Sequence, residues 1–477
     1  MRLVVVGGGI AGLAAAHRAL ELARERALAL DLALVEARGR LGGAIETERA
    51  EGWVIEGGPD AFLTEKPAAL ALCRRLGLEA RLIGTDERFR RVWVWRRGRL
   101  HPVPEGFYLL APARLRPFLA SRLFSWRGKA RMALDLVLPR RPAGEDESLA
   151  AFVRRRLGRE ALERVAQPLA AGIYSADAED LSLRATMPRF LELERAHRSL
   201  VLGLRRAGRA GPAGDTASGA RFGLFASLAG GMGELIEALG ARLPAGSVHL
   251  GRRVVEVARE AGGWRVRTDD GQAWPADQVI VAVEAHVAGR LLRYLDPPLA
   301  TLLQVIPYAS SVTVALGYRR ADVPHPLDGF GFVVPRTEGR DLLACTFASV
   351  KFPGRAPDGH VLLRGFLGGA LQPEALARDD ADLIARARRD LRAALGITAE
   401  PVLTRLHRHA AAHPQYVVGH AGTVEAIERR LAALPGLHLA GAAYRGVGIA
   451  DCVRSGETAA EAALTGPARF SPPAFVL

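Results

Sequence analysis

Cysteine and lysine are the scarce residues of this 477-residue chain. Cys73, Cys345 and Cys452 are the three cysteines, and none stands in a CxxC pair. That excludes a disulfide framework and cysteine-zinc chemistry, and it fits a reducing compartment, so a cytoplasmic protein is expected. Lys66, Lys129 and Lys351 are the only lysines, which leaves 62 arginines among 65 basic residues. No HExxH, no Ser/His/Asp set and no paired carboxylates occur, and the twelve histidines are scattered. His407, His409, His413 and His420 read as satisfied or solvent-facing side chains, and no metal is expected. The longest uncharged stretch, Pro297 to Tyr318, holds three prolines and several polar residues, so it does not span a bilayer. The first apolar run leads straight into glycines, without the pattern of a secretory peptide. Basic residues are spread without interleaved aromatics, which argues against a nucleic-acid partner. The formal charge of +14 favours anionic partners such as carboxylates or an acidic membrane surface.

Glycine, in contrast, is arranged in signatures. LVVVGGGIAGL, Leu3 to Leu13, is an apolar strand-forming run that turns through Gly7, Gly8 and Gly9 into a helix through Ile10, Ala11 and Gly12. Such a strand, tight turn and helix lets main chain approach a pyrophosphate at a helix N-terminus. A second strand, Asp31 to Val35, ends on Glu36, whose carboxylate suits a ribose. Ala37 and Arg38 follow, and then Arg40-Leu41-Gly42-Gly43, a turn whose backbone and guanidinium face the pyrophosphate or the start of a ring system. Glu56-Gly57-Gly58-Pro59-Asp60, with Ala61, makes another tight corner near that ring, and Val254 offers backbone to an adenine. At the far end, Leu437 to Ala440 reads as a strand and Ile449 to Leu464 as a helix. Gly441, Val447, Gly448 and Ile449 form its entrance, with the helix N-terminus aimed at a flavin N1–C2=O edge. The first signature alone serves NAD or an ordinary turn; all three together point to FAD.

The expected fold class is α/β with α+β, a Rossmann-like cofactor domain carrying a β-rich substrate domain and a helical insertion. Residues 1–90, 222–295 and 400–477 are assigned to the cofactor domain, 91–104 and 296–399 to the substrate domain, and 105–221 to the helical one. Within the last, Leu149, Phe152, Val153, Leu157 and Leu162 share one helical face, which is either core or a membrane-facing surface. Arg205 to Ala220 reads as a connector.

Seven blocks carry a family resemblance: IEGGPDAFLTEKP, GRLHPVP, PLAAGIYSADAEDLSLRATMP, GFGFVVP, FPGRAPDGHVLLRGFLGG, HPQYVVGH and AYRGVGIADCVRSG. They resemble the oxygen-dependent protoporphyrinogen oxidases, nearly end to end. His409 departs from that pattern, standing where the family often has tryptophan. The resemblance implies an amine-oxidase-type fold, an FAD cofactor, and a porphyrinogen and dioxygen as reactants. Six electrons would leave protoporphyrinogen in three two-electron steps, with peroxide released. It further implies peripheral contact with the inner face of the cytoplasmic membrane; monomer and homodimer both stay open. By alignment, Arg91 is the partner of a propionate, with Arg90 or a one-residue shift left open. Gly172 brings backbone to the ring, and Val333 and Phe352 clamp it or serve as strand core. Coproporphyrinogen is the alternative substrate; a flavin amine oxidase and a non-catalytic flavoprotein are the rival classes.

Overall fold

The computed structural model describes residues 1–108, 110–141, 144–209 and 224–465. Apolar runs from the beginning, middle and end of the chain meet in one parallel five-stranded sheet. Its order is Val248–His249, Asp31–Val35, Arg2–Val6, Gln278–Val281 and Leu437–Leu439. Parallel strands are covered on both faces. Leu3, Val5 and Ile280 pack under helices Ile10–Glu25 and Ile449–Thr465, whereas Val4, Val6, Val279 and Val281 pack with Trp264 and Val266 of an antiparallel hairpin. The two helices approach so closely that a Cβ on Gly456 would lie 2.1 Å from the Ala11 carbonyl oxygen. The N-terminal fingerprint is thereby fixed against the last helix.

A second sheet has seven strands in the order Leu403–Pro414, Tyr308–Arg319, His360–Gly368, Ala344–Phe347, Gly331–Val333, Val92–Arg96 and Arg99–Pro102. Side chains alternate between its faces. Trp95, Phe332, Val314 and Leu363 bury one face against Leu383, Ala387 and Leu391 of helix Asp380–Leu395. The other face looks toward the cofactor elements. Leu403–Pro414, which the sequence division places with the cofactor unit of 400–477, hydrogen-bonds along Tyr308–Arg319 as the edge strand of this sheet.

The helical region packs as core: Leu149, Phe152, Val153, Leu157 and Leu162 are all buried in one cluster. Arg156 is fully buried with them, its Nε donating to Asp135 Oδ1 at 2.7 Å. Leu119, Trp126 and Val137 of the same region are exposed. Among the described residues no helix is long and apolar enough to cross a membrane. The expected connector Arg205–Ala220 lies outside the described residues from 210 onward.

Candidate flavin and substrate site

The three glycines of the first signature have separate jobs. Gly7 adopts φ +107°, a turn that side chains disfavour. A Cβ on Gly12 would sit 1.9 Å from the Gly7 carbonyl oxygen, so Gly12 permits the helix to close on the turn. Beside Gly9 the nearest atom to such a Cβ is 4.0 Å away, so here the backbone borders open space. That is the arrangement a pyrophosphate needs: a tight turn, a close helix and one glycine facing a ligand. Gly42 N–H donates to the Gly8 carbonyl at 2.8 Å, which lays the Arg40–Gly43 turn against the first signature.

Glu36 is buried, and its two oxygens accept from the Gly8 N–H at 2.6 Å and the Arg38 N–H at 2.7 Å. Arg252 N–H donates to the Glu36 carbonyl at 2.9 Å, which brings the strand that begins at Val254 to the same corner. Arg40 braces its own turn, donating to the Ile45 and Gly43 carbonyls and, at 2.7 Å, to Glu46. At the third signature, Tyr416 Oη donates to the Ala442 carbonyl and accepts from the Gly446 N–H, both at 2.7 Å. Asp451, buried in the first turn of the last helix, pairs with Lys66 at 2.6 Å. A carboxylate there is favoured by the helix N-terminus. These contacts hold Ala442, Gly446 and Asp451, which flank Gly441, Val447, Gly448 and Ile449 in the chain, and tie the last helix to Lys66 at the start of helix Pro67–Arg75. The residues present therefore fit a dinucleotide laid across both ends of the chain.

The Glu56–Asp60 corner meets the seven-stranded sheet. Gly58 is wedged there: a Cβ would lie 1.7 Å from the Ala44 carbonyl oxygen. The Gly57 carbonyl accepts from Thr313 Oγ1 at 2.9 Å and from Arg364 Nη2 at 2.9 Å, and His409 Nε2 stands 2.9 Å from it. Asp60 binds Lys351 at 3.0 Å. Burial opposes ionisation of Asp60, but Lys351, Arg364 and Arg355 outweigh it and hold the carboxyl below its ordinary value. Burial raises the Glu56 carboxyl, against hydrogen bonds from Thr47 and the Met232 N–H. Burial also lowers His407 and His409, and pushes His413 down to about 4.

Register then lays out the substrate side. His101, Val94, Val333, Ala344, Phe366, Thr313 and His407 are successive cross-strand partners, a single row across the cofactor-facing side of the sheet. Its middle members Val94, Val333, Ala344 and Phe366 share a hydrophobic cluster with Leu169 and Tyr174 of the helical region and with Val447 of the third signature. An apolar wall thus runs from the helices to the corner that Thr313 holds. Gly172 lies exposed in helix Gln167–Tyr174, with nothing within 4 Å of a Cβ built on it, and the neighbouring Ile173 is exposed.

Two expected substrate residues stand apart from this row. Arg91 precedes strand Val92–Arg96 and shares the parity of Trp93 and Trp95, the side opposite Val94 and Val333; it is largely exposed and paired with Asp328 at 3.1 Å. Alternation turns it away from the apolar row, and the same alternation puts Val92 on the cofactor-facing side. Phe352 is fully buried beneath the Glu56–Asp60 corner, with Lys351 and Arg355 over its ring, and does not join Val333. The residues that sequence reading passed over are Thr313, Lys351, Arg364, Phe366 and Tyr416. Tyr416 had a signal inside the HPQYVVGH block, and Arg364 and Phe366 inside FPGRAPDGHVLLRGFLGG; Thr313 and Lys351 had none.

Cofactor cradle, parallel sheet and seven-stranded wall together define a flavin-dependent oxidoreductase with the amine-oxidase-type fold. The chain belongs to the flavin containing amine oxidoreductase family, whose pattern matches residues 10–464. It is similar to a coproporphyrinogen III oxidase of Bacillus subtilis, 37% identical over 97% of this chain and 98% of the relative. A protoporphyrinogen oxidase of Bos taurus is 34% identical over 96% and 97%. A crystal structure from Exiguobacterium sp. superposes with a TM-score of 0.85 at 33% identity, covering 97% of this chain and 98% of that one. The chain is therefore an oxidoreductase of this family and carries FAD.

Proposed function

We propose that the protein oxidises coproporphyrinogen III to coproporphyrin III with dioxygen as acceptor. The observation that carries the reading is the row from Val94 to Phe366, which ends at the corner held by Thr313. A porphyrinogen is a broad apolar macrocycle, and an apolar wall of four strands beside a flavin corner suits its ring. Bound FAD supplies the two-electron acceptor, and dioxygen then takes the electrons as peroxide.

The chain's own residues position and seal. Val333, Ala344 and Phe366 support one side of the ring, Gly172 and Ile173 lie exposed on the helical side, and Val447 links the wall to the third signature. Water is kept from the ring by this packing, and no side-chain nucleophile is needed. Coproporphyrinogen is preferred to protoporphyrinogen on two grounds. The Bacillus subtilis relative named for it is 37% identical, and a chain with 62 arginines in a net charge of +14 suits four carboxylates better than two.

Turnover of both porphyrinogens in air, followed by porphyrin fluorescence, tests the preference. We expect kcat/KM for coproporphyrinogen III to exceed that for protoporphyrinogen by roughly tenfold or more, about 1.4 kcal/mol in the transition state. Equal values, or the reverse order, would return protoporphyrinogen as the substrate.

A further inference from the structure

Arg364 sits mid-sheet on strand His360–Gly368, and only 6% of it is exposed. A guanidinium this buried ordinarily meets a carboxylate, because an unpaired buried charge is strongly disfavoured. Among the described residues none lies in ion-pair contact with it. Its Nη2 donates instead to the Gly57 carbonyl at 2.9 Å and to the Gly58 carbonyl, and its Nε has no hydrogen-bond partner. The Gly57 carbonyl has two lone pairs, yet Thr313 and His409 crowd it as well.

The charges around this corner do not balance. Arg364, Arg355 and Lys351 face two carboxyls, Asp60 and Glu56. Asp60 is taken by Lys351 at 3.0 Å, and Glu56 stands 3.8 Å from Arg355, which leaves Arg364 without a carboxylate of its own. His407 and His409 add no charge near neutral pH, because burial favours their neutral forms too. What remains is a positive charge on a buried guanidinium, set against the Gly57–Gly58 corner of the cofactor cradle.

We propose that Arg364 is a positioning residue for the flavin, fixing the Gly57–Gly58 backbone and supplying the uncompensated positive charge that stabilises the reduced ring. Uptake of two electrons and one proton leaves the ring one charge more negative, and a fixed positive charge in a low-dielectric site favours that state. The missing anionic partner of Arg364 is then the reduced cofactor itself. This rests on the flavin that defines the family and not on which porphyrinogen is oxidised.

The test is the flavin's midpoint potential, measured by dye-coupled reduction of the holoprotein at neutral pH, with FAD content read from the visible spectrum. Arg364→Gln is expected to keep FAD but to lower the ratio of reduced to oxidised flavin at fixed potential at least tenfold, about 30 mV for a two-electron couple. Arg364→Lys should retain most of the parent value. Thr313→Val, which removes a hydrogen bond from the same carbonyl without removing charge, should leave the potential unchanged. Arg364→Gln at the parent potential, or Thr313→Val falling equally far, would overturn the proposal. Should Arg364→Gln fail to hold FAD, Lys351→Gln takes its place, because it removes a cation of the same cluster; an unchanged potential there is equally decisive against it. Because no porphyrinogen enters the measurement, failure here is separate from failure of the substrate reading.

Discussion

Gly7, Gly9 and Gly12 look alike in the sequence but face a turn, an open space and a packed helix. Substitutions should therefore separate. Gly9→Val is expected to fold and to lack flavin, because its side chain enters the space left for the pyrophosphate. Gly12→Val has no room against the Gly7 carbonyl and should lose the fold itself. Circular dichroism with visible absorbance checks both, and a yellow, folded Gly9→Val protein would contradict the placement. Glycine signatures were legible because turn and close approach are local properties. The convergence of Thr313, Arg364 and His409 on Gly57 was not, because they reach it from 256, 307 and 352 positions away. Their meaning lies in strand register, which one sequence does not display.

At the scale of elements, apolar periodicity was readable and polar strands were not. The face formed by Leu149, Phe152, Val153, Leu157 and Leu162 is buried, and the first two parallel strands fall where their apolar runs predict. Strand Leu403–Pro414 was hidden because its cofactor-facing residues are Arg405, His407 and His409, so it shows no apolar alternation. The same blindness to facing bears on Arg91, since alignment fixes a position only to within a residue and one residue reverses the side of a strand. One arginine of the many is structural: Arg156 belongs to the core, where it meets Asp135, and Ser199 also donates to Asp135. Arg156→Met would leave the Asp135 carboxylate buried, with both side chains of the pair wholly inaccessible in the parent. We expect a loss of about 3–5 kcal/mol, read as a lower urea midpoint of unfolding. An unchanged midpoint would show that the pair does not hold the helical region.

At the scale of the whole molecule, the first and last helices lock together at Gly456, so both ends of the chain build one cofactor cradle. The seven-stranded sheet then hangs a wall beside it, contacted at Gly57 and closed by the helical region. Redox chemistry and substrate shape are thus carried by different parts, which explains why glycine patterns revealed the cofactor but left the substrate open. The central claim is that a porphyrinogen lying on the Val333–Phe366 wall delivers electrons to flavin bound at that corner. Anaerobic mixing of the flavin-loaded protein with excess coproporphyrinogen III, followed by visible absorbance, tests it most directly. The account predicts bleaching of the flavin without oxygen, and return of its colour with porphyrin fluorescence once air is admitted. A flavin that stays oxidised beside the porphyrinogen would contradict it.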